Sequence, residues 1–386
     1  MGLYTEVPAM AVCKSNILSL LVVLSLSIAA GAADDKSLDF VTGKTYQSDI
    51  IDDDSTSDTN PFDNEEDYIE NCSDLCSKHP CQRRCEDCYD DCCIRCNPPW
   101  TATAEALFLR PSPTSGQQLL FDPLQGSNLL NSSDMAFPFE AGPRLSLIRH
   151  RCCGWDFELN YFGILGPKAR ADFPTDVLPE GVGNLIVDDE ILLPVNEVGF
   201  EEYYMLYSSE FNFRRPVNDW LTTLVGFRWV EFYDNYQAQG TEAIESTPFV
   251  HTINTHNHIY GFQIGEDALL FEATGRFRIN GLVKIGIFYN AADQNSNFYD
   301  SASFGYLSAV ANGNHVAFLG ELGLIGSYQL TKHVALRGGY QVMWIEGVAL
   351  APRQIPVTNL GAGTAGIDIT GGLFAHGANA GLEIKW

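Results

Sequence analysis

From Trp100 onward the chain alternates apolar and polar residues with a period of two, the mark of strands that have one greasy face and one wet face. In Trp155–Tyr161, Trp155, Phe157, Leu159 and Tyr161 point one way, and Asp156, Glu158 and Asn160 the other. Met205, Tyr207, Ser209, Phe211 and Phe213 oppose Leu206, Ser208, Glu210, Asn212 and Arg214; Val283, Ile285, Ile287 and Tyr289 oppose Lys284, Gly286, Phe288 and Asn290. At the C-terminus Phe374, Ala378, Ala380, Leu382, Ile384 and Trp386 share one face, interrupted by His376.

The alternation predicts about ten strands, near 100–110, 138–149, 155–165, 203–214, 220–233, 255–266, 277–290, 315–329, 333–345 and 373–386. A soluble sandwich also alternates, so two further features matter. Most of these strands are long enough to cross a bilayer at a tilt. Their connections also alternate: long ones at 111–137, 166–202, 234–254, 291–314 and 346–372, and short ones at 150–154, 215–219, 267–276 and 330–332. That asymmetry belongs to outer-membrane barrels, with short periplasmic turns and longer outer loops. On this reading Trp100, Trp155, Trp220 and Trp386 fall at periplasmic strand ends and Trp229 and Trp344 near the outer ends, as two aromatic girdles. The fold expected is all-β: an antiparallel transmembrane β-barrel of about ten strands, eight to twelve.

The N-terminus sets the compartment. An apolar run from Ile17 to Ile28 leads to Ala30-Gly31-Ala32 and then Asp34-Asp35, which reads as a secretory signal peptide over 1–32. The run is too short to span a bilayer, which needs roughly 20 residues. Cys13 precedes it and so is not a lipoprotein cysteine. Removing the signal leaves ten of the 11 cysteines, an even number suited to an oxidising compartment.

Charge divides the mature chain. The formal charge of −26 argues against nucleic acid and anionic membrane surfaces as partners. Residues 33–70 carry Asp52-Asp53-Asp54 and Glu65-Glu66-Asp67 among small polar residues, too little apolar surface to offset ordering entropy, and are expected to be an acidic disordered linker. Residues 71–99 hold Cys72, Cys76, Cys81, Cys85, Cys88, Cys92, Cys93 and Cys96. Steps of three and four would place several on one helix face, which predicts a small helical segment stapled by disulfides. Zinc or an iron–sulfur cluster and free thiols are the competing readings; structural zinc sites usually pair C-x2-C motifs, present here only at Cys85/Cys88 and Cys93/Cys96. Cys152-Cys153, in a short turn on the same side, are expected to bond to this segment. Its pairing is not readable from spacing.

Several strands resemble a known family. Gly226-Phe227-Arg228-Trp229, the run from Asn257 to Gly265, and above all Gly320-Glu321-Leu322-Gly323 and the run from Leu336 to Pro352 are similar to the outer-membrane β-barrel proteins abundant in planctomycetes. That family is itself similar to the pore-forming major outer-membrane proteins of Legionella. The resemblance covers roughly Trp100 to Trp386; it implies the barrel and its location and brings no catalytic residues.

Enzyme chemistry finds little support. No G-x-S-x-G occurs, and His256 and His258, two apart, read as interfacial histidines rather than as a base with a nucleophile. No catalytic residue, cofactor or metal is expected. The inward polar positions, Asp156, Glu158, Glu210, Asn212, Arg214, Arg228, Lys284, Glu321 and Arg337, are candidates to line a narrow pore or to pair across a closed lumen. The function expected is a narrow channel for small solutes. The alternative is a structural or surface-display protein anchored or cross-linked, even to itself, through its Cys-rich segment. Outer-membrane lipids and the barrel-insertion machinery are the expected partners, with Trp386 as the assembly signal.

Overall fold

The computed structural model describes residues 98–386, apart from 114–115, 152–154, 179–180, 274 and 303. The signal, linker and Cys-rich expectations, including every candidate disulfide cysteine from Cys72 to Cys96 together with Cys152 and Cys153, lie outside these residues.

Ten antiparallel strands close into a ring: β1 (Trp100–Pro113), β2 (Glu140–Arg149), β3 (Asp156–Phe173), β4 (Leu192–Pro216), β5 (Leu221–Glu242), β6 (Pro248–Ala273), β7 (Phe277–Asp300), β8 (Gly305–Gln329), β9 (Val334–Val348) and β10 (Gly371–Lys385). Each pairs with the next, and β10 returns to β1, pairing Thr101 with Lys385 and Pro113 with Leu373. Closure removes every edge of a ten-strand sheet that would otherwise be open to aggregation. The expectation of an all-β, antiparallel barrel of about ten strands is met, and no α-helix occurs among the described residues.

The faces follow the period-two pattern. Outward residues such as Phe262, 73% exposed, and Ile287, 64% exposed, form an apolar belt with Phe211, Phe227, Phe318 and Leu336. On β7 the belt runs from Ile279 to Tyr289, ten residue steps, or roughly 25 Å of height for a strand tilted by about 40°. Its lower end carries the short turns and Trp100, Trp155, Trp220 and Trp386. Above Trp229, Tyr260 and Tyr289 the outward residues turn polar: Glu231, Asn235 and Gln237 on β5, Asp293, Asn295 and Asn297 on β7, and Glu201 of β4 paired with Lys168 and Arg170 of β3.

Four of the expected connections are corrected. Segments 234–254 and 291–314, read as long loops, are strand for most of their length: β5 and β6 meet at a turn of 243–247, and β7 and β8 at 301–304. The ladder continues there with a mostly polar outer face and an inner face that mixes apolar residues such as Tyr236, Phe249 and Ile253 with polar ones, so the alternation fades although the hydrogen bonding does not. The turn read at 267–276 shortens likewise to 274–276. Segment 346–372, read as an outer loop, folds into the ring instead.

Candidate functional site

The interior has two tiers. In the lower tier every strand contributes inward polar residues, and all nine lumen candidates lie there. Arg228 of β5 is fully buried, and its guanidinium sits between Glu210 of β4 (3.4 Å) and Glu321 of β8 (3.1 Å). Its Nε donates to Ser208 Oγ at 2.9 Å. Glu321 is also held by Arg144 at 3.1 Å, and Glu210 by Lys284 at 2.7 Å and by amide donors from Asn212 and Gln263.

Two satellite groups flank this centre. Arg214 bridges Glu158 (3.2 Å) and Asp267 (2.7 Å), and Arg337 bridges Glu105 (3.0 Å) and Glu383 (2.6 Å). Asp156 stands apart near the lower rim, paired with His150 at 2.9 Å. Alternation placed the nine candidates on the inner face but could not say that they pair with one another. Arg144, Glu105, Asp267 and Glu383, which complete the pairing, lie on the same inner face of their strands. A cavity of about 60 Å³ remains among Glu105, Arg144, Glu158, Lys284, Glu321 and Arg337, room for a few waters.

The upper tier is apolar. Leu107, Phe162, Leu206, Phe232, Ile253 and Phe288 line the wall. Three connections fill the space within it. The β1–β2 connection supplies Leu119, Leu120, Leu130, Met135 and Phe137, the last stacked on Tyr204 with ring centroids 4.5 Å apart. The β3–β4 connection adds Leu178, Leu185 and Val187. The β9–β10 connection forms a plug over 349–370, with a 3-10 turn at Pro352–Val357 and a two-residue hairpin pairing Thr358–Asn359 with Thr364–Ala365. Leu350, Ile355 and Leu360 of the plug are buried.

A chain segment inside a barrel must have its backbone groups satisfied, and the wall together with the β3–β4 connection supplies the partners. Asn257 Nδ2 donates to Ala349 O at 2.9 Å and its Oδ1 accepts from Ala349 N at 2.8 Å, a two-way clamp. Thr255 Oγ1 donates to the same carbonyl, and Asn290 to Gly347 O. Gln294 donates to Gly366 O at 2.6 Å, and Leu360 N donates to Asp188 at 2.7 Å. The sequence reading missed Thr255, Asn257, Asn290 and Gln294 as site residues. Their signal was present: they occupy alternate, inward positions on two neighbouring strands.

One clamp carries titratable groups. Ala351 N donates to Asp234 Oδ2 at 2.7 Å, Tyr204 OH donates to Glu202 Oε1 at 2.8 Å, and the Glu202 and Asp234 carboxyls act on one another electrostatically. The dyad lies above the apolar belt, and both carboxyls are buried. Loss of solvation pushes Glu202 up to about 7. Asp234 is raised well above the ordinary carboxylate range, first by burial and then by the Glu202 charge. Two carboxyls in contact without a nearby cation share a proton rather than ionise together.

No family model matches the chain, and no curated protein does. Among solved structures, the outer membrane protease OmpT from Escherichia coli is 10% identical, covering 74% of this chain and 96% of its own, with a TM-score of 0.40. The translocator domain of autotransporter NalP from Neisseria meningitidis is 8% identical, with coverage of 75% and 90% and a TM-score of 0.35. A Pseudomonas aeruginosa FadL homologue is 11% identical, with coverage of 76% and 93% and a TM-score of 0.25. At these scores the architecture rests on the chain's own strand pairing.

Proposed function

We propose that the protein is an outer-membrane β-barrel and a narrow small-solute channel that rests closed. The belt supports the membrane reading: a continuous ring of exposed Phe, Ile, Leu and Tyr far exceeds the few hundred Å² of apolar patch that soluble surfaces tolerate, and its height matches a hydrocarbon layer. Export by a cleaved signal and recognition of the β10 strand by the insertion machinery belong to the same reading.

The single observation that carries the channel reading is the lower tier. Buried ion pairs contribute little net stability compared with an apolar filling, so a barrel needing only to be solid would not require them. Arg228, shared by Glu210 and Glu321, can exchange partners without leaving a charge unpaired, which is what a gate needs. Passage then requires the plug to leave the upper tier.

Planar-bilayer recording of refolded protein tests this. Wild type should open rarely and in small steps, whereas Ile355→Asp, which places a charge in the apolar seat of the plug, should conduct often. Neutralising Glu321 or Arg214 in that background should shift ion selectivity. Silence of both folded proteins would remove the channel.

The filled interior favours a second reading, a structural or surface-display protein anchored through its Cys-rich segment. It predicts intermolecular disulfides through Cys72 to Cys96, and a uniformly monomeric protein on non-reducing gels would count against it.

A further inference from the structure

Glu231, His256 and His258 stand together on the outward face of β5 and β6, just above the apolar belt and away from the lumen. His256 and His258 occupy alternate positions of one strand, so their rings emerge on the same side, with centroids 3.7 Å apart. Glu231 lies directly across the ladder from His258 and reaches both rings: its Oε2 is 2.5 Å from His256 Nε2 and 2.9 Å from His258 Nδ1. We infer that these three residues form a binding site for one divalent transition-metal ion of the zinc class.

The donor chemistry selects the ion. Two imidazoles and one carboxylate suit zinc and its borderline neighbours, whereas calcium and magnesium prefer an all-oxygen shell. The three donor atoms lie within 4.8 Å of one another. Tetrahedral zinc, with bonds of about 2.0–2.1 Å, needs its ligands roughly 3.3 Å apart, so the carboxylate must withdraw by less than about 1 Å. The backbones of β5 and β6 are fixed by an unbroken ladder, so this is a side-chain adjustment only.

Neighbouring residues prepare the site. Tyr233 stacks on His256 at 3.7 Å with the rings inclined by 20°, which holds the imidazole in one plane. Asp293 of β7 faces outward directly opposite His256 on its other side. Cross-strand neighbours have Cβ atoms about 4.5–5.5 Å apart, so Asp293 stands where a further carboxylate can enter the coordination sphere or accept from the second ring nitrogen. Three protein ligands leave a position open toward the surroundings of the barrel, which makes this a binding site rather than a closed structural one.

The test uses the full chain, untagged, refolded in detergent, with its cysteines alkylated so that Cys72 to Cys96 cannot contribute thiolates. Zinc chloride is titrated against a chelating dye, and cobalt chloride is followed by its absorption. Wild type should bind one equivalent more than His256→Ala/His258→Ala, with a cobalt spectrum of nitrogen and oxygen ligation. Glu231→Gln should weaken that equivalent about tenfold or more. Heat-modifiable gel mobility checks that each variant is folded, and Glu231→Gln carries the test should the double variant not fold. Equal stoichiometry and affinity in wild type and folded variants would overturn the proposal and leave a hydrogen-bonded Glu–His cluster.

Discussion

Trp100 and Trp386 exchange two backbone hydrogen bonds, Trp100 N to Trp386 O at 3.0 Å and Trp386 N to Trp100 O at 3.1 Å, so the first and last residues of the barrel close its seam. Both bonds disappear if the chain stops at Lys385, and the indole, 52% exposed at the lower rim, is lost with them. Two net hydrogen bonds are worth about 1 kcal/mol each. Deleting Trp386 should leave misfolded protein in the periplasm and reduce the heat-modifiable form on gels, while Trp386→Phe keeps insertion. Undiminished heat-modifiable barrel in the deletion would contradict its role as an assembly signal.

Arg228 should be the most sensitive position in the lumen. Arg228→Met leaves Glu210 with Lys284 and Glu321 with Arg144 but strips the charge they share, and breaking a buried pair costs about 3 kcal/mol. Adding Glu321→Gln should recover part of that loss, giving a non-additive double-mutant cycle in denaturant midpoints. Additive effects would mean that the two side chains do not interact as the geometry places them.

The Glu202–Asp234 dyad predicts a pH dependence whose sign follows from its burial. Between the ordinary glutamate value of 4.5 and about 7, the folded protein retains a proton that the unfolded chain has released. Stability therefore falls as pH rises through that window and levels off above it. A change of this size is worth on the order of 3 kcal/mol, and because Asp234 also holds Ala351 N, it should loosen the plug first. Melting temperatures from pH 4 to 8 should slope downward for wild type and flatten for Glu202→Gln. In bilayers the open fraction should be greater at pH 8 than at pH 5. A variant as pH-sensitive as wild type would show that other groups set the slope.

Gly320 illustrates a constraint on the outer face. Trp344 lies across it from the neighbouring strand, and a Cβ built on Gly320 would fall 1.9 Å from the indole Cζ2. Aromatic cover of a strand glycine is a recognised packing device. Gly320→Ala should displace Trp344, change its fluorescence, and cost about 1–2 kcal/mol as overpacking does. An unchanged emission spectrum would indicate that the indole has room to yield.

Much of this was legible in the sequence, for a physical reason. Where one face meets an apolar medium and the other a polar lumen, alternation reports both strand and facing, so the pattern alone assigns Glu210, Arg228 and Lys284 inward. Above the belt the outer face is mostly polar and the inner face mixes apolar with polar residues, so the contrast between the two faces weakens. Segments 234–254 and 291–314 then read as loops although they carry much of the ladders of β5 to β8, among the longest strands in the molecule. The plug was hidden for the opposite reason: Leu350, Ile355 and Leu360 have no periodicity because they pack against the wall rather than along a strand. Pairing within the lumen depends on register and on strands far apart in the chain, as with Arg144 and Glu321, and no local pattern encodes it.

Strands β5 to β8 do not stop where the apolar belt does. From Trp229 to Glu242 the ladder continues for thirteen residue steps, on the order of 30 Å of additional height at a barrel-like tilt. Because that extension is hydrogen-bonded sheet rather than loose chain, it behaves as a pedestal. A short epitope inserted in the 243–247 turn should be held well clear of the bilayer, within reach of an antibody on intact cells. The barrel wall, rather than any long loop, would then set how far the protein projects.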